Sequence, residues 1–228
     1  MTAWLHEHGF SYKKPAATPA KADSAKQEVF VAEYKRLVRQ TPLDEPILFI
    51  DGVHPTMATK ISYGWIKKGV RTPIATTASR TRVNIMGAIN LEDMNVVTKA
   101  YDTIDSSAMV LYFDHLKAVY PSAKKLHLIL DNGPYNTSAV TRQAASERNI
   151  ILHYLPPYSP NLNPIERLWK VMNEEIRNNR FFASTKEFKD RIDWFFKVRW
   201  KEISDSMVDR INDNFNVIHS PLKAASSS

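Results

Sequence analysis

The stretch that decides the fold runs from residue 126 to residue 169 and reads LHLILDNGPYNTSAVTRQAASERNIILHYLPPYSPNLNPIERLW. Two apolar runs, at 125–131 and 150–155, predict buried strands; the first begins one residue before this stretch. A segment with helical spacing, 137–148, separates them, and this alternation indicates parallel strands joined by a crossover helix. Asp131 closes the first run, and Glu166 lies beyond the proline-rich loop, so a carboxylate stands on each side of that loop.

The segments before and after this stretch complete the prediction. Strands are expected, in antiparallel order, at Pro46–Asp51, Ser62–Lys67, Arg82–Asn90 and Val96–Asp102. Helices are expected at Gln27–Gln40, Ser106–Tyr120, Pro164–Asn178, Thr185–Trp200 and from Ser204 to about Val217. This order predicts an α/β fold with a mixed five-stranded sheet flanked by helices, as in a ribonuclease-H-like domain.

Composition restricts the class of protein. The 228 residues include no cysteine, which excludes disulfides and thiolate metal sites, and 43% are hydrophobic, which is typical of a globular chain. No apolar run reaches the roughly 18 residues of a membrane span, and the start lacks the order of a signal peptide, so we expect a cytoplasmic protein. The formal net charge of +7 favours a polyanionic partner such as nucleic acid.

Composition along the chain predicts three parts. Residues 1–26 combine the end of a short helix with a basic linker rich in Ala, Pro, Ser and Lys. Residues 27–220 form the main domain with its C-terminal helices, and residues 221–228 are expected to be a disordered tail.

Three acids lie at the ends of predicted structural elements: Asp51, Asp131 and Glu166. Each has an ordinary alternative explanation, because Asp51 and Asp131 precede glycine-containing turns and Glu166 could cap a helix that starts at Asn163. Together they indicate more, since three neighbouring carboxylates cannot all remain ionised without a cation. We therefore expect them to be catalytic residues that bind Mg²⁺ or Mn²⁺ in a two-ion site suited to phosphodiester cleavage.

Further residues are candidates for supporting roles. Residues within three positions of the acids in sequence are assigned accessory functions, namely His54, Asn132 and Asn163. The segment 66–82 contains no acid and is predicted to contact DNA phosphates through Lys67, Lys68, Arg71, Arg80 and Arg82. The alternative for these five is a solvated loop. The aromatic residues of 181–200 recur at helical spacing and are expected to pack in the core.

The motif residues carry a family resemblance. Segments 128–132 and 155–169 closely resemble the DDE-type catalytic core of bacterial insertion-sequence transposases of the mariner superfamily. Between Asp131 and Glu166 lie 34 residues, which is similar to the spacing of that family's second and third acids. The segment 49–55, FIDGVHP, is similar to the block around the family's first acid.

The resemblance implies a function and partners. It implies a DNA transposase that hydrolyses phosphodiesters at the transposon ends and transfers the freed 3′-hydroxyl into target DNA. The partners of such a protein would be double-stranded DNA and a second copy of the chain. Its expected location is the cytoplasm, at the nucleoid. It also implies N-terminal helix-turn-helix domains, of which only 4–12 resemble a remnant. Two positions depart from the common pattern, Gly52 and Asn136, where many members have Glu and His.

Two other functions stay open at this point. A chain without end-recognising domains could be a non-catalytic DNA-binding or regulatory fragment that inhibits a full-length transposase. A ribonuclease-H-type nuclease with no role in transposition is the third possibility, and activity on RNA–DNA hybrids would favour it.

Overall fold

The structure is a computed structural model, and it describes residues 2–12 and 19–218. Its strands are β1 (Ile47–Val53), β2 (Asn84–Asn90), β3 (Val96–Tyr101), β4 (Leu126–Leu130) and β5 (Ile150–Tyr154). Its α-helices are α1 (Thr2–Glu7), α2 (Ser24–Gln40), α3 (Ser106–Val119), α4 (Ala139–Glu147), α5 (Ile165–Ile176), α6 (Thr185–Trp194) and α7 (Trp200–Ile203). A π-helical turn, Phe195–Arg199, joins α6 to α7. No helix in the described ranges is long and apolar enough to cross a membrane.

The five strands form one mixed sheet in the order β3-β2-β1-β4-β5. β1 pairs with β2, and β2 with β3, in antiparallel fashion, whereas β4 runs parallel to both β1 and β5. The predicted ribonuclease-H-like α/β sheet is therefore confirmed. Because β1 and β4 are parallel neighbours, their carboxyl ends lie at the same edge of the sheet.

Each face of the sheet is covered by helices. Leu48 and Ile50 of β1 point to the face covered by α3 and α4, whereas Phe49 between them points to the face covered by α2, α5 and α6. All three side chains are buried, as the near-continuous apolar run predicts for a strand that is covered on both faces. The aromatic residues Phe188 and Phe195 are also buried on the face covered by α2, α5 and α6. These two residues therefore pack in the core.

Two predicted elements are wrong. The segment Ser62–Lys67 is not a strand, because it lies in the exposed β1–β2 loop with Tyr63 and Trp65 fully exposed and no strand beside it. The loop is paired up to residue 60, through a bridge between Thr56 and Arg82 and another between Lys60 and Asn178. A β-branched, aromatic segment needs a neighbouring strand and a core face to become a strand, and here it has neither.

The expected helix from Ser204 to about Val217 is also wrong. The chain forms a short 3₁₀ helix, Ser204–Met207, and then turns and irregular backbone up to residue 218. Asn212 explains the ending: its amide donates to the carbonyls of Val208 and Asp209, and its Oδ1 accepts from the N–H of Asn214. Such local bonds compete with the helical ladder.

The predicted division of the chain stays a prediction. Part of the predicted linker, residues 13–18, and the predicted tail, residues 221–228, lie outside the described residues. Within the described part, α2 already belongs to the main domain, since Phe30 and Tyr34 are buried in its core.

One buried polar side chain connects three distant segments. Gln27 of α2 is fully buried, and its Nε2 donates to Ser159 Oγ at 2.9 Å in the proline-rich loop. Its Oε1 accepts from Asn161 Nδ2 at 3.1 Å and from the N–H of Ile218 at 2.9 Å. Since a buried amide must be satisfied, this network fixes the proline-rich loop against α2 and the C-terminal segment.

Gln27→Ala tests this network. We expect the free energy of unfolding to fall by about 2 kcal/mol, because the substitution leaves Ser159, Asn161 and the N–H of Ile218 without their partner. Urea denaturation followed by circular dichroism measures the change. The control is Gln40→Ala at the exposed end of the same helix, and equal effects of the two substitutions would contradict the network's role.

Candidate active site

The three predicted acids lie at one edge of the sheet. Asp51 is in β1 opposite Gly87 of β2, Asp131 directly follows β4, and Glu166 is in the first turn of α5. All three line one cleft of about 370 Å³. The other lining residues are Asn132, Gly133, Leu155, Pro156, Pro157, Tyr158, Ser159, Pro160 and Asn163. The topology thus brings three separate segments of the sequence together.

The position of Glu166 is set by α5 and the loop before it. α5 has a strongly amphipathic sequence, and its apolar face is buried against the sheet through Ile165, Leu168 and Met172. The sequence predicted Asn163 as the helix cap, which is wrong: its amide instead donates to the carbonyl of Ile50 at 3.2 Å. This bond fastens the start of α5 to the end of β1.

Asp51 is half-buried beneath α5. Its Oδ2 accepts a hydrogen bond of 3.0 Å from the indole Nε1 of Trp169. Burial, and next the negative charge of Glu166, raise the pKa of Asp51 to about 7, and the Trp169 bond opposes this shift. Without a bound cation, the carboxyl group of Asp51 therefore holds its proton to a much higher pH than an ordinary aspartate does.

Asp131 and Glu166 have different surroundings. Asp131 is exposed, and its Oδ1 accepts from the N–H of Gly133 at 2.8 Å and from Asn136 Nδ2 at 2.7 Å. Burial raises the pKa of Glu166, and the negative charge of Asp131 adds to the rise while Lys170 opposes it. The negative charges of Asp131 and Glu166 therefore repel each other across the cleft.

The site has the donor chemistry of a hard divalent cation. Among the described residues, no three acidic or histidine side chains are already gathered as a metal centre. Two of the acids are engaged by protein donors, Asp51 by Trp169 and Asp131 by Asn136. The donor set nevertheless consists of oxygens, and the buried Oδ1 of Asn163 beside it has no hydrogen-bond partner among the described residues. Oxygen ligands of this kind fit Mg²⁺ or Mn²⁺.

The predicted accessory residues divide into two groups. Asn132 and Asn163 line the cleft, and the amide of Asn132 donates to the carbonyl of Leu155, joining the ends of β4 and β5. His54 does not line it, because its Nδ1 is hydrogen-bonded at 2.8 Å to Asn84 Oδ1 on the next strand.

The five predicted DNA-contacting residues lie outside the cleft. All are exposed in the β1–β2 loop, and in the described part of the chain none forms an ion pair. They are Lys67, Lys68, Arg71, Arg80 and Arg82. Their exposure is compatible with both the DNA-contacting interpretation and a solvated loop.

One residue of the site was missed by sequence reasoning, and a second has a backbone conformation that the sequence did not predict. Trp169 was quoted in the motif but given no role, although it lies one helical turn after Glu166 and so on the same face of α5. Tyr158 lines the cleft with a backbone φ of 56° and an exposed ring, and Lys21 lies 5.5 Å from the centre of that ring. A positive φ at a tyrosine carries no sequence signal, because bulky residues rarely adopt it.

The fold and the cleft define a class of protein. Residues 46–189 match the model of the DDE superfamily endonucleases, and the chain belongs to that family. Residues 1–34 match a winged helix-turn helix family. The predicted resemblance to a DDE-type catalytic core is thereby confirmed.

Particular relatives narrow the class. The chain is 26% identical over 196 residues to the insertion element IS630 uncharacterized 39 kDa protein of Shigella sonnei, covering 86% of this chain and 57% of that protein. It is similar to the Mos1 strand transfer complex with a TM-score of 0.65 and 18% identity, covering 92% of this chain and 65% of that one. It is also similar to the catalytic domain of Mos1 mariner transposase, with a TM-score of 0.59 and 14% identity, covering 87% of this chain and 92% of that one. At 18% and 14% identity, the two similarities to Mos1 show a shared fold.

Asp51→Asn tests the electrostatics of the cleft. A carboxyl whose pKa rises from 3.8 to about 7 on folding stabilises the fold fully only below pH 4, and this stability is lost as pH rises through 7. Without divalent cations, the variant should therefore exceed the wild type in unfolding free energy by an amount that grows from pH 4 to 7, up to about 4 kcal/mol.

Denaturation curves at a series of pH values in EDTA measure this difference. The control is Asp205→Asn, the same substitution at an exposed position. A difference that is constant across pH 4 to 8 would show that Asp51 is an ordinary surface carboxylate.

Proposed function

We propose that this chain is the catalytic part of a DNA transposase. It would cut a phosphodiester bond at the end of a mobile element and join the freed 3′-hydroxyl to target DNA. The observation that carries the proposal is the convergence of Asp51, Asp131 and Glu166 from three segments onto one cleft in a chain of the DDE endonuclease family. The chain spans 57% of the length of its Shigella relative, so the activity of a whole protein is part of the proposal.

The three acids are the proposed ligands of two divalent cations, Mg²⁺ or Mn²⁺. When bound, such ions activate the attacking oxygen and stabilise the leaving oxygen of a phosphodiester. The residues of the chain hold the ligands in place: Trp169 holds Asp51, Asn136 holds Asp131, and α5 carries Glu166. Asn163 is the proposed neutral oxygen donor beside them, through its Oδ1. Complexes of Mos1 with Mn and with Mg are known, which supports this choice of cations.

The proposed partner is double-stranded DNA, bound by the basic residues of the β1–β2 loop. Solved structures of Mos1 include a paired-end complex with the left transposon end. The winged helix-turn helix match at residues 1–34 also supports a DNA partner. A homodimer on DNA and a location at the nucleoid in the cytoplasm belong to the same proposal.

Asp131→Asn tests the catalytic proposal. The wild type should nick supercoiled plasmid DNA in Mn²⁺, and the variant should nick it about 10²- to 10³-fold more slowly, because removing a ligand of this charge takes away several kcal/mol of stabilisation. Mn²⁺ should also raise the melting temperature of the wild type but not of the variant. Asp205→Asn is the control, since that carboxylate lies away from the cleft.

The alternatives predict different outcomes of the same assay. Full nicking by the Asp131→Asn variant would overturn the assignment of the acids. DNA binding by the wild type without nicking in either cation would favour the regulatory fragment. Preferential cleavage of RNA–DNA hybrids would favour a ribonuclease-H-type nuclease.

Lys67→Gln combined with Lys68→Gln tests the DNA-contacting loop. We expect weaker binding to duplexes of any sequence, because these residues would contact phosphates rather than bases. The slope of log affinity against log salt concentration should decrease by about 0.9 for each phosphate that the double variant no longer neutralises. Fluorescence anisotropy at several salt concentrations measures both quantities.

The control for the loop is a matched double substitution on α2. Lys35→Gln with Arg36→Gln removes the same charge from an exposed face of that helix. If both double variants weaken binding equally, overall charge rather than the loop determines the affinity.

A further inference from the structure

We propose that Trp169 is a positioning residue for Asp51, and that Gly87 provides the space that this arrangement needs. The inference rests on the proposed function, since it concerns how one ligand of the proposed divalent cations is held. It assigns roles to two residues that lie outside the three acids.

Trp169 reaches Asp51 from the side of α5. The residue is 3% exposed, and its Nε1 donates to Asp51 Oδ2 at 3.0 Å. Phe196 packs edge-on against the ring, with the ring centroids 6.2 Å apart and the planes at 85°. The indole is therefore fixed by packing, and its N–H fixes one oxygen of the carboxylate that lines the cleft.

Gly87 lies directly across the sheet from Asp51. A Cβ atom at this position would stand 2.3 Å from Cη2 and 2.9 Å from Cζ2 of Trp169. These separations are far inside van der Waals contact, and a buried ring has little freedom to move away. Gly87 has no left-handed backbone, so the requirement for glycine here comes from space and not from conformation.

In this arrangement α5 positions two of the three acids. Glu166 reaches the cleft directly, and Trp169, one turn later, holds Asp51. Partners that orient metal ligands typically contribute about 10- to 100-fold to metal affinity. Removal of the indole N–H should therefore weaken cation binding even though every ligand is still present.

Trp169→Phe tests the inference, with Mn²⁺ affinity measured by electron paramagnetic resonance. The variant keeps an aromatic ring but lacks the N–H, and we expect its Mn²⁺ dissociation constant to rise about 10- to 100-fold. The matched control is Trp200→Phe, because Trp200 is also 3% exposed in the same core and donates to the carbonyl of Met94. A purely structural role would give both variants the same, unchanged Mn²⁺ affinity.

Gly87→Ala provides the second test. We expect it to lower both the melting temperature and the Mn²⁺ affinity, because the new methyl group displaces the indole. Combined with Trp169→Phe, which lacks Cη2 and Cζ2, the melting temperature should recover while the Mn²⁺ affinity stays at the level of Trp169→Phe. This split between stability and affinity is the signature of a positioning role.

The outcomes separate this inference from the proposed function. Wild-type Mn²⁺ binding that Asp131→Asn abolishes, but Trp169→Phe leaves unchanged, would overturn the positioning role alone. Absence of Mn²⁺ binding in the wild type would overturn the proposed function and, with it, this inference.

Discussion

The structure of the cleft depends on how α5 lies across the carboxyl end of β1. Two hydrogen bonds fasten the helix there, from Asn163 to the carbonyl of Ile50 and from Trp169 to Asp51. The apolar face of α5 is buried against the same strand and its neighbour, so the helix cannot shift without opening the core. Asp51 and Glu166 consequently have a fixed relative position, although they are far apart in the sequence. The separation between them is a property of the helix–sheet contact and not of either side chain.

Holding the acids together has an electrostatic cost that the fold must offset. Burial and the charge of Glu166 raise the pKa of Asp51, which means that the ionised cleft opposes folding. The cost is tolerable because the surrounding elements are well anchored: apolar cores cover both faces of the sheet, and Gln27 ties the proline-rich loop to α2. A cation that binds the carboxylates would relieve the same repulsion, so stability and ligand binding are linked in this cleft.

Much of this could be predicted from the sequence, because local rules determine it. Apolar runs ending in Asp51 and Asp131 predict buried strands with an acid at each carboxyl end. That these two strands are parallel neighbours appears only in the assembled sheet. The predictions failed where the outcome depends on tertiary neighbours: Ser62–Lys67 has strand-forming residues but no strand beside it. The contact between Trp169 and Gly87 was invisible for the same reason, since the closeness of residues 82 positions apart appears only when the sheet is assembled.

The acidic residues of the cleft and the basic residues of the β1–β2 loop lie in different parts of the molecule. The chain carries a net +7, yet its cleft contains three carboxylates, which would repel a DNA phosphate. The cleft alone therefore cannot supply DNA affinity. The segment 66–82 contains five basic residues and no acid, and all five are exposed outside the cleft. The phosphate contacts proposed for these residues would position a duplex without reading its sequence. In the proposed function this loop supplies the DNA affinity, so the cleft is free to be acidic, as an oxygen-ligand cation site requires.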